Sequence, residues 1–334
     1  MESLQEKHLD TSRGLHYKYY VSPESDASKP TLLLLHGWPD SAHLWQYVVP
    51  HLTSLRCKLV VPDLLGYGGT SKPTSPELYN YRRMSEDVAE ILDAEKSGRV
   101  IPVGHDWGCY LASRFHLVYP ERCPAAVHIG IAYLPPVPQH LDLDTVNEHS
   151  VQAVGYPRFE YWNLFSSPEA PRMFSEHLDS VWHALHGDAQ DWMKQMFCAP
   201  DAMKNFLLQG RTDVPLRAYA QDAKLKEHWK QNMTDASSWE SAFCWYHSLL
   251  QDVQMEEDKN IPEGMYKLDM PVLFIACDGD AVNSPELIDF PKEAGLLPDL
   301  RVEVLHSGHW CPYEKPEEIA GLLSDFLSDR QLVL

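Results

Sequence analysis

Positive charge is scarce in this chain. Its 334 residues carry 28 Lys and Arg against 48 Asp and Glu, a formal net charge of −20. A surface this acidic repels phosphate backbones and anionic membranes alike, so nucleic acid is not an expected partner. Long apolar runs are missing as well. Stretches such as Leu32 to Leu35 fall far short of the ~20 residues that a spanning helix needs, so no membrane insertion is expected. The first thirty residues hold Glu2, Glu6, Lys7 and Asp10 with no apolar signal core, and Gln331-Leu332-Val333-Leu334 matches no targeting tail. Cysteines are few, odd in number and scattered (57, 109, 123, 198, 244, 277 and 311), with no Cys-x-x-Cys pair. They read as reduced, mostly buried thiols of a cytoplasmic protein, not as a disulfide framework. The seventeen histidines form no metal spacing with one another or with cysteine, so no metal is expected. Internal repeats and low-complexity segments are lacking too.

What remains is an ordinary globular composition, 44% hydrophobic, arranged as alternating strands and helices. Strands are expected at 15–21, 31–35, 57–62, 99–103, 125–129, 270–276 and 300–305. Helices are expected at 41–52, 82–96, from 110 to about 119, 284–295 and 316–327. Thr31-Leu32-Leu33-Leu34-Leu35 is apolar without alternation, as a strand buried on both faces should be. The alternation implies an α/β fold with a parallel sheet covered on both faces, and ligands at the carboxyl ends of its strands. From about 139 to 253 no strand is evident, and six of the ten tryptophans fall there (162, 182, 192, 229, 239 and 245). That stretch reads as an aromatic-rich helical insertion. It divides the chain into a first core part, 1–138, a cap, 139–253, and a second core part, 254–334.

The organising feature is Val103-Gly104-His105-Asp106-Trp107-Gly108 between an apolar run and a helix-like pattern. Strand, sharp turn and helix with Gly-x-nucleophile-x-Gly make a nucleophile elbow. The turn is tight enough that Cβ atoms two residues either side would clash, which calls for glycine at 104 and 108. The nucleophile position holds Asp106. His309 directly follows the last strand, and Asp280 directly follows the one before it. Nucleophile, acid, histidine is the chain order of a hydrolase triad, with the acid orienting the imidazole and the imidazole acting as base. Asp278 competes with Asp280. Asp280 is favoured because Ala-Val and a Ser-Pro helix start follow it, whereas Asp278 suits capping or solvating the turn.

With these motifs in place, the chain resembles the soluble epoxide hydrolase family of the α/β-hydrolase superfamily. The resemblance spans His36-Gly37-Trp38-Pro39, Gly104-His105-Asp106-Trp107-Gly108 and Gly308-His309-Trp310. In the insertion, Phe159-Glu160-Tyr161-Trp162-Asn163-Leu164-Phe165 and Trp245-Tyr246 resemble the segments bearing the family's two ring-opening tyrosines. The resemblance implies an α/β-hydrolase fold with a helical cap, no cofactor, and an apolar epoxide and water as partners. It implies Asp106, His309, Asp280, Tyr161 and Tyr246 as catalytic residues. It also implies an oxyanion hole from the Trp38 and Trp107 backbone N–H groups and a cis Trp38–Pro39 bond. Trp38, Trp107, Phe165 and Trp310 are expected to line the pocket. His36 and His105 are expected to bond loop backbone, and Asp63 with Gly66–Gly69 to form a structural turn. Cys109 departs from the family's usual second glycine and is expected to pack, tightening or redirecting the pocket wall.

Chemistry points the same way. Serine attack on an epoxide would leave an ether, which water does not cleave under mild conditions. A carboxylate leaves an ester, which a histidine-activated water can hydrolyse. The leaving group then separates the alternatives. An epoxide oxygen wants protons, which two phenols supply, whereas a halide wants indole N–H donors. A haloalkane or haloacid dehalogenase is the first alternative. Haloalkane enzymes, however, often place Asn where this chain has Trp38, and fluoroacetate enzymes place Arg where it has Trp107. A non-catalytic ligand-binding homologue is the second, although all five catalytic positions are filled.

Overall fold

The computed structural model describes residues 1–23 and 25–333. Eight strands form one sheet: β1 (Gln5–Asp10), β2 (His16–Val21), β3 (Thr31–Leu35), β4 (Leu59–Pro62), β5 (Val100–His105), β6 (Ala126–Ile129), β7 (Val272–Cys277) and β8 (Leu300–Leu305). Their order across the sheet is β1-β2-β4-β3-β5-β6-β7-β8. The pairs from β4 through β8 are parallel; β1 with β2 and β2 with β4 are antiparallel. Every residue of β3, β4, β5, β6 and β7 is buried, which is why those segments read as unbroken apolar runs. Helices flank this sheet, among them Tyr81–Ala94, Trp107–Val118 and Pro316–Asp329.

β1 was not expected. Its sequence, Gln-Glu-Lys-His-Leu-Asp, has no apolar face because it forms an edge of the sheet and no residue of it is fully buried. The helix expected over 41–52 is broken into a 3-10 turn, Ala42–Gln46, and one α turn, Val49–Leu52, with Pro50 in its first positions. Proline lacks the N–H that would continue the ladder from the preceding turn.

Between β6 and β7 the described residues hold helices and one isolated bridge, Gly187 with Leu216, but no strand. The helices include Leu143–Val154, Tyr161–Phe165, Ala236–Leu250 and Val253–Asp258. A buried ion pair ties the two ends of this segment to the sheet's central helix. Arg114 reaches Asp258 at 3.1 Å and the Leu134 carbonyl at 2.9 Å, while Asp258 accepts the Val137 N–H at 2.8 Å. Among the described residues no helix is long and apolar enough to cross a membrane.

Candidate active site

β5 ends in the elbow. Asp106 sits at φ 53° and ψ −129°, a strained backbone for a side chain of this kind. A Cβ on Gly104 would lie 2.4 Å from the Cys109 nitrogen, and one on Gly108 only 2.2 Å from the Leu35 carbonyl oxygen. The helix can begin at Trp107 only because both positions lack that atom. The turn leaves Asp106 buried at the carboxyl end of a central strand, with the positive helix terminus behind it.

Two loops converge on this carboxylate. From the loop after β3, the Trp38 N–H donates to Asp106 Oδ1 at 2.8 Å. The Trp38–Pro39 peptide is cis. Gly37 makes the approach possible, since a Cβ there would stand 2.2 Å from Oδ1. From the loop after β8, His309 Nε2 lies 3.6 Å from Asp106 Oδ2. Its Nδ1 is 2.7 Å from Asp280 Oδ2, and Asp280 Oδ1 accepts the N–H groups of Val282 and Asn283, both at 2.9 Å. Asp278 is elsewhere, paired with exposed His306.

Burial raises the Asp106 carboxyl above its ordinary pKa, opposed by His309 and by the Trp107 and Trp38 N–H groups. Burial also raises Asp280, but His309 and the two loop N–H groups outweigh it and the net shift is downward. Burial lowers His309, yet Asp280 and then Asp106 more than offset it and hold the imidazole up to about 9. The imidazole thus owes its raised proton affinity to the two aspartates on either side of it.

Near Asp106 lie aromatic side chains of the helical segment between β6 and β7. Tyr246 meets Trp107 edge-on at 5.0 Å between ring centres and Tyr161 at 6.0 Å. Burial, with Asp106 nearby, raises the pKa of both phenols, so both stay protonated. A cavity of about 270 Å³ opens here, lined by Asp106, Trp107, Tyr161 and Trp162 and continuing along aliphatic side chains.

Residues 30–316 match the pattern of the alpha/beta hydrolase fold family. The chain belongs to that family. It is 28% identical to epoxide hydrolase srdG of Neurospora crassa, over 95% of this chain and 93% of that one. It is 24% identical to epoxide hydrolase A of Mycobacterium tuberculosis, over 98% of each. The fold is shared with a solved epoxide hydrolase A from Mycobacterium thermoresistibile, at TM-score 0.76 and 24% identity over 97% of this chain and 98% of that one. It is shared also with epoxide hydrolase VrEH1 of Vigna radiata, at TM-score 0.78 and 21% identity over 98% and 99%.

In this α/β-hydrolase chain the cavity at Asp106 is lined by Tyr161 but not by Tyr246 or His309. Of Trp38, Trp107, Phe165 and Trp310, only Trp107 lines the cavity. Trp38 and Phe165 pack on each other at 4.5 Å between ring centres. Trp310 turns to Asp40, donating its indole N–H to Oδ2 at 3.0 Å. Cys109 does not shape the pocket wall. Its thiol faces β5 and β6, donating to the Gly104 carbonyl at 3.1 Å, and burial raises its pKa. His36 bonds Gly37 and Leu64 backbone, and His105 Nε2 meets the His309 carbonyl at 2.8 Å. Asp63 accepts from the Ala42 and Gly69 N–H groups, each at 2.9 Å.

Residue-level reading missed Asp40. It accepts from both Trp310 and the Tyr313 hydroxyl, the latter at 2.7 Å, and so ties the loop after β3 to the segment after β8. Its place right after His-Gly-Trp-Pro was the available signal.

Proposed function

We propose that this chain is an epoxide hydrolase that adds water to an apolar epoxide and releases a vicinal diol. The observation that carries the reading is a buried carboxylate nucleophile set between an imidazole–carboxylate pair and two protonated phenols. The epoxide hydrolases among its relatives support it.

Asp106 attacks an oxirane carbon through Oδ2. The C–O bond breaks, and Tyr161 and Tyr246 hydrogen-bond and protonate the departing oxygen, leaving a hydroxyl on the product arm. The resulting ester is neutral. His309 thereby loses the Asp106 charge that helped to hold its pKa up, and its proton returns to the phenolate. The neutral imidazole, oriented by Asp280, then takes a proton from water, which attacks the ester carbon. Oδ1 carries the developing negative charge, facing the Trp38 and Trp107 N–H groups. Collapse releases the diol and restores Asp106. Neither step calls for a metal or cofactor.

In this reading 139–253 is a helical cap that carries both tyrosines over a core made of 1–138 and 254–334. The seven buried, unpaired thiols support a reducing, cytoplasmic setting. The test is His309→Gln with an epoxide, followed by intact-mass measurement, beside wild type and Asp106→Ala on aryl, alkyl and fatty-acid epoxides. A trapped adduct on Asp106 and diol formed by wild type alone support the reading; no adduct and no diol across the panel sink it.

One observation favours a second reading. The indole N–H groups of Trp107 and Trp162 are buried beside the cavity at Asp106. Such donors suit a halide leaving group, as in a dehalogenase. Bromide release from simple alkyl bromides, without diol formation from epoxides, would install that reading instead.

A further inference from the structure

The cavity extends to only one side of the nucleophile. From Asp106 and its aromatic neighbours it runs past Ile131, Leu141, Val146, Leu249 and Leu287. Its outer end is marked by Leu134 and Val137, which are 41% and 44% exposed. On the other side of Asp106 there is a solid aromatic wall. Trp38 packs on Phe165 at 4.5 Å between ring centres, Phe165 on Phe243 at 4.8 Å, and Phe174 on Trp239 at 4.8 Å. Phe165, Phe174, Trp239 and Phe243 are all fully buried, and none of them lines the cavity.

An oxirane has two carbons, and substituents on both need room on both sides of the attacking oxygen. Here one side has room and the other does not. We propose that this chain is selective for terminal, monosubstituted oxiranes with a single unbranched apolar arm, and that the Trp38–Phe165–Phe243 wall rejects oxiranes substituted on both carbons. The inference rests on the epoxide hydrolase reading and names its substrate class. The cavity of about 270 Å³ is lined almost wholly by apolar side chains, and 1,2-epoxyoctane is a suitable probe of its arm. Shorter arms leave apolar lining uncovered. Longer ones emerge past Leu134 and Val137.

Isomers make the test independent of hydrophobicity. 1,2-Epoxyoctane and cis- and trans-4,5-epoxyoctane share one formula but differ in where the oxirane sits. The wild-type kcat/KM is expected to favour the terminal isomer about 100-fold. Along 1,2-epoxybutane, -hexane and -octane it should rise about fourfold per methylene, the value of burying each CH₂ in the arm. Thinning the wall by Phe243→Ala, or by the milder Phe243→Leu if the first does not fold, should raise the ratio of 4,5- to 1,2-isomer turnover. Comparable kcat/KM for the isomers, or no chain-length dependence, overturns the one-armed pocket while leaving the hydrolase reading intact. Failure to open any of these epoxides, or styrene oxide, removes the hydrolase reading and this proposal with it.

Discussion

Asp106 presents two different oxygens, and Trp38 distinguishes them. The Trp38 N–H holds Oδ1 at 2.8 Å, whereas Oδ2 lies on the His309 side, 3.6 Å from Nε2. In the proposed reaction Oδ1 is the oxygen that becomes the oxyanion and Oδ2 the one that attacks. In that reaction water attacks the ester carbon, so the new oxygen would enter the enzyme, not the product. In a single turnover in H₂¹⁸O with enzyme in excess, the label should appear in the peptide containing Asp106, and the diol should carry almost none. Mass spectrometry of both reads this directly. A fully labelled diol after one turnover would mean that water attacks the epoxide without an ester.

His309 should change its protonation when Asp106 loses its charge. The imidazole is held up to about 9, above its ordinary 6.5, by Asp280 and Asp106 against the opposing effect of burial. Asp106→Asn imitates the uncharged ester. Ring ¹⁵N NMR should then show the His309 pKa lowered by about one unit or more, the value of a unit charge at this range even in high dielectric. Asp280→Asn removes the other support. It should slow ester hydrolysis by about 10²–10⁴ and let the alkyl-enzyme accumulate.

The same shift has a sign for stability. A folded pKa raised above the unfolded value contributes stability that is full below about pH 6.5 and lost as pH rises through 9. Wild type should lose about 2–3 kcal/mol of unfolding free energy over that window relative to Asp280→Asn, measured by urea titration. Parallel pH profiles for the two proteins would show that the ion pair does not contribute.

Asp40 allows a test of the link between the two loops. Its carboxylate accepts from Trp310 and Tyr313, and burial raises its pKa to about 6 against those bonds. Asp40→Ala leaves two buried donors without an acceptor and should cost about 2–4 kcal/mol. The pH sign is opposite in origin but similar in direction. A carboxyl raised above its ordinary 3.8 favours folding when protonated, so wild type should lose stability between about pH 4 and 6 relative to Asp40→Asn. Equal stability of wild type and Asp40→Ala in urea would show that the loops are held by other contacts.

What was legible in the sequence was what local chemistry enforces. Gly104 and Gly108 mark the elbow because no Cβ fits there, and Leu32 to Leu35 marks a central strand because both its faces are buried. Gln5–Asp10 was invisible because an edge strand needs no apolar face, and its partner β2 supplies the hydrogen bonds. The packing around the cavity was not legible for a different reason. That Trp38 and Phe165 close one side while Trp310 turns to Asp40 depends on contacts spanning over a hundred residues, to which neither periodicity nor motif spacing responds. Asp258 was missed likewise, since its partner Arg114 lies 144 positions away.

That pair carries the last prediction. Arg114 and Asp258 are both buried, and between them they bond Leu134, Val137, Tyr110 and Gln254. They fasten the helical segment where it leaves the sheet and where it returns. Arg114→Met removes one charge and leaves the Asp258 carboxylate buried with no cation, which should cost about 3–5 kcal/mol. Adding Asp258→Leu removes the stranded charge and should recover part of the loss, because desolvating an ion pair offsets most of its attraction. Full recovery is not expected, since the Val137 N–H and the Leu134 carbonyl would still lack partners. Because Leu134, Val137 and Asp258 also line the cavity, Arg114→Met should in addition raise KM more than it lowers kcat. Urea unfolding of the single and double variants, with steady-state kinetics on 1,2-epoxyoctane, measures both effects. If the double variant is no more stable than the single, the pair serves through its hydrogen bonds and not through its charge.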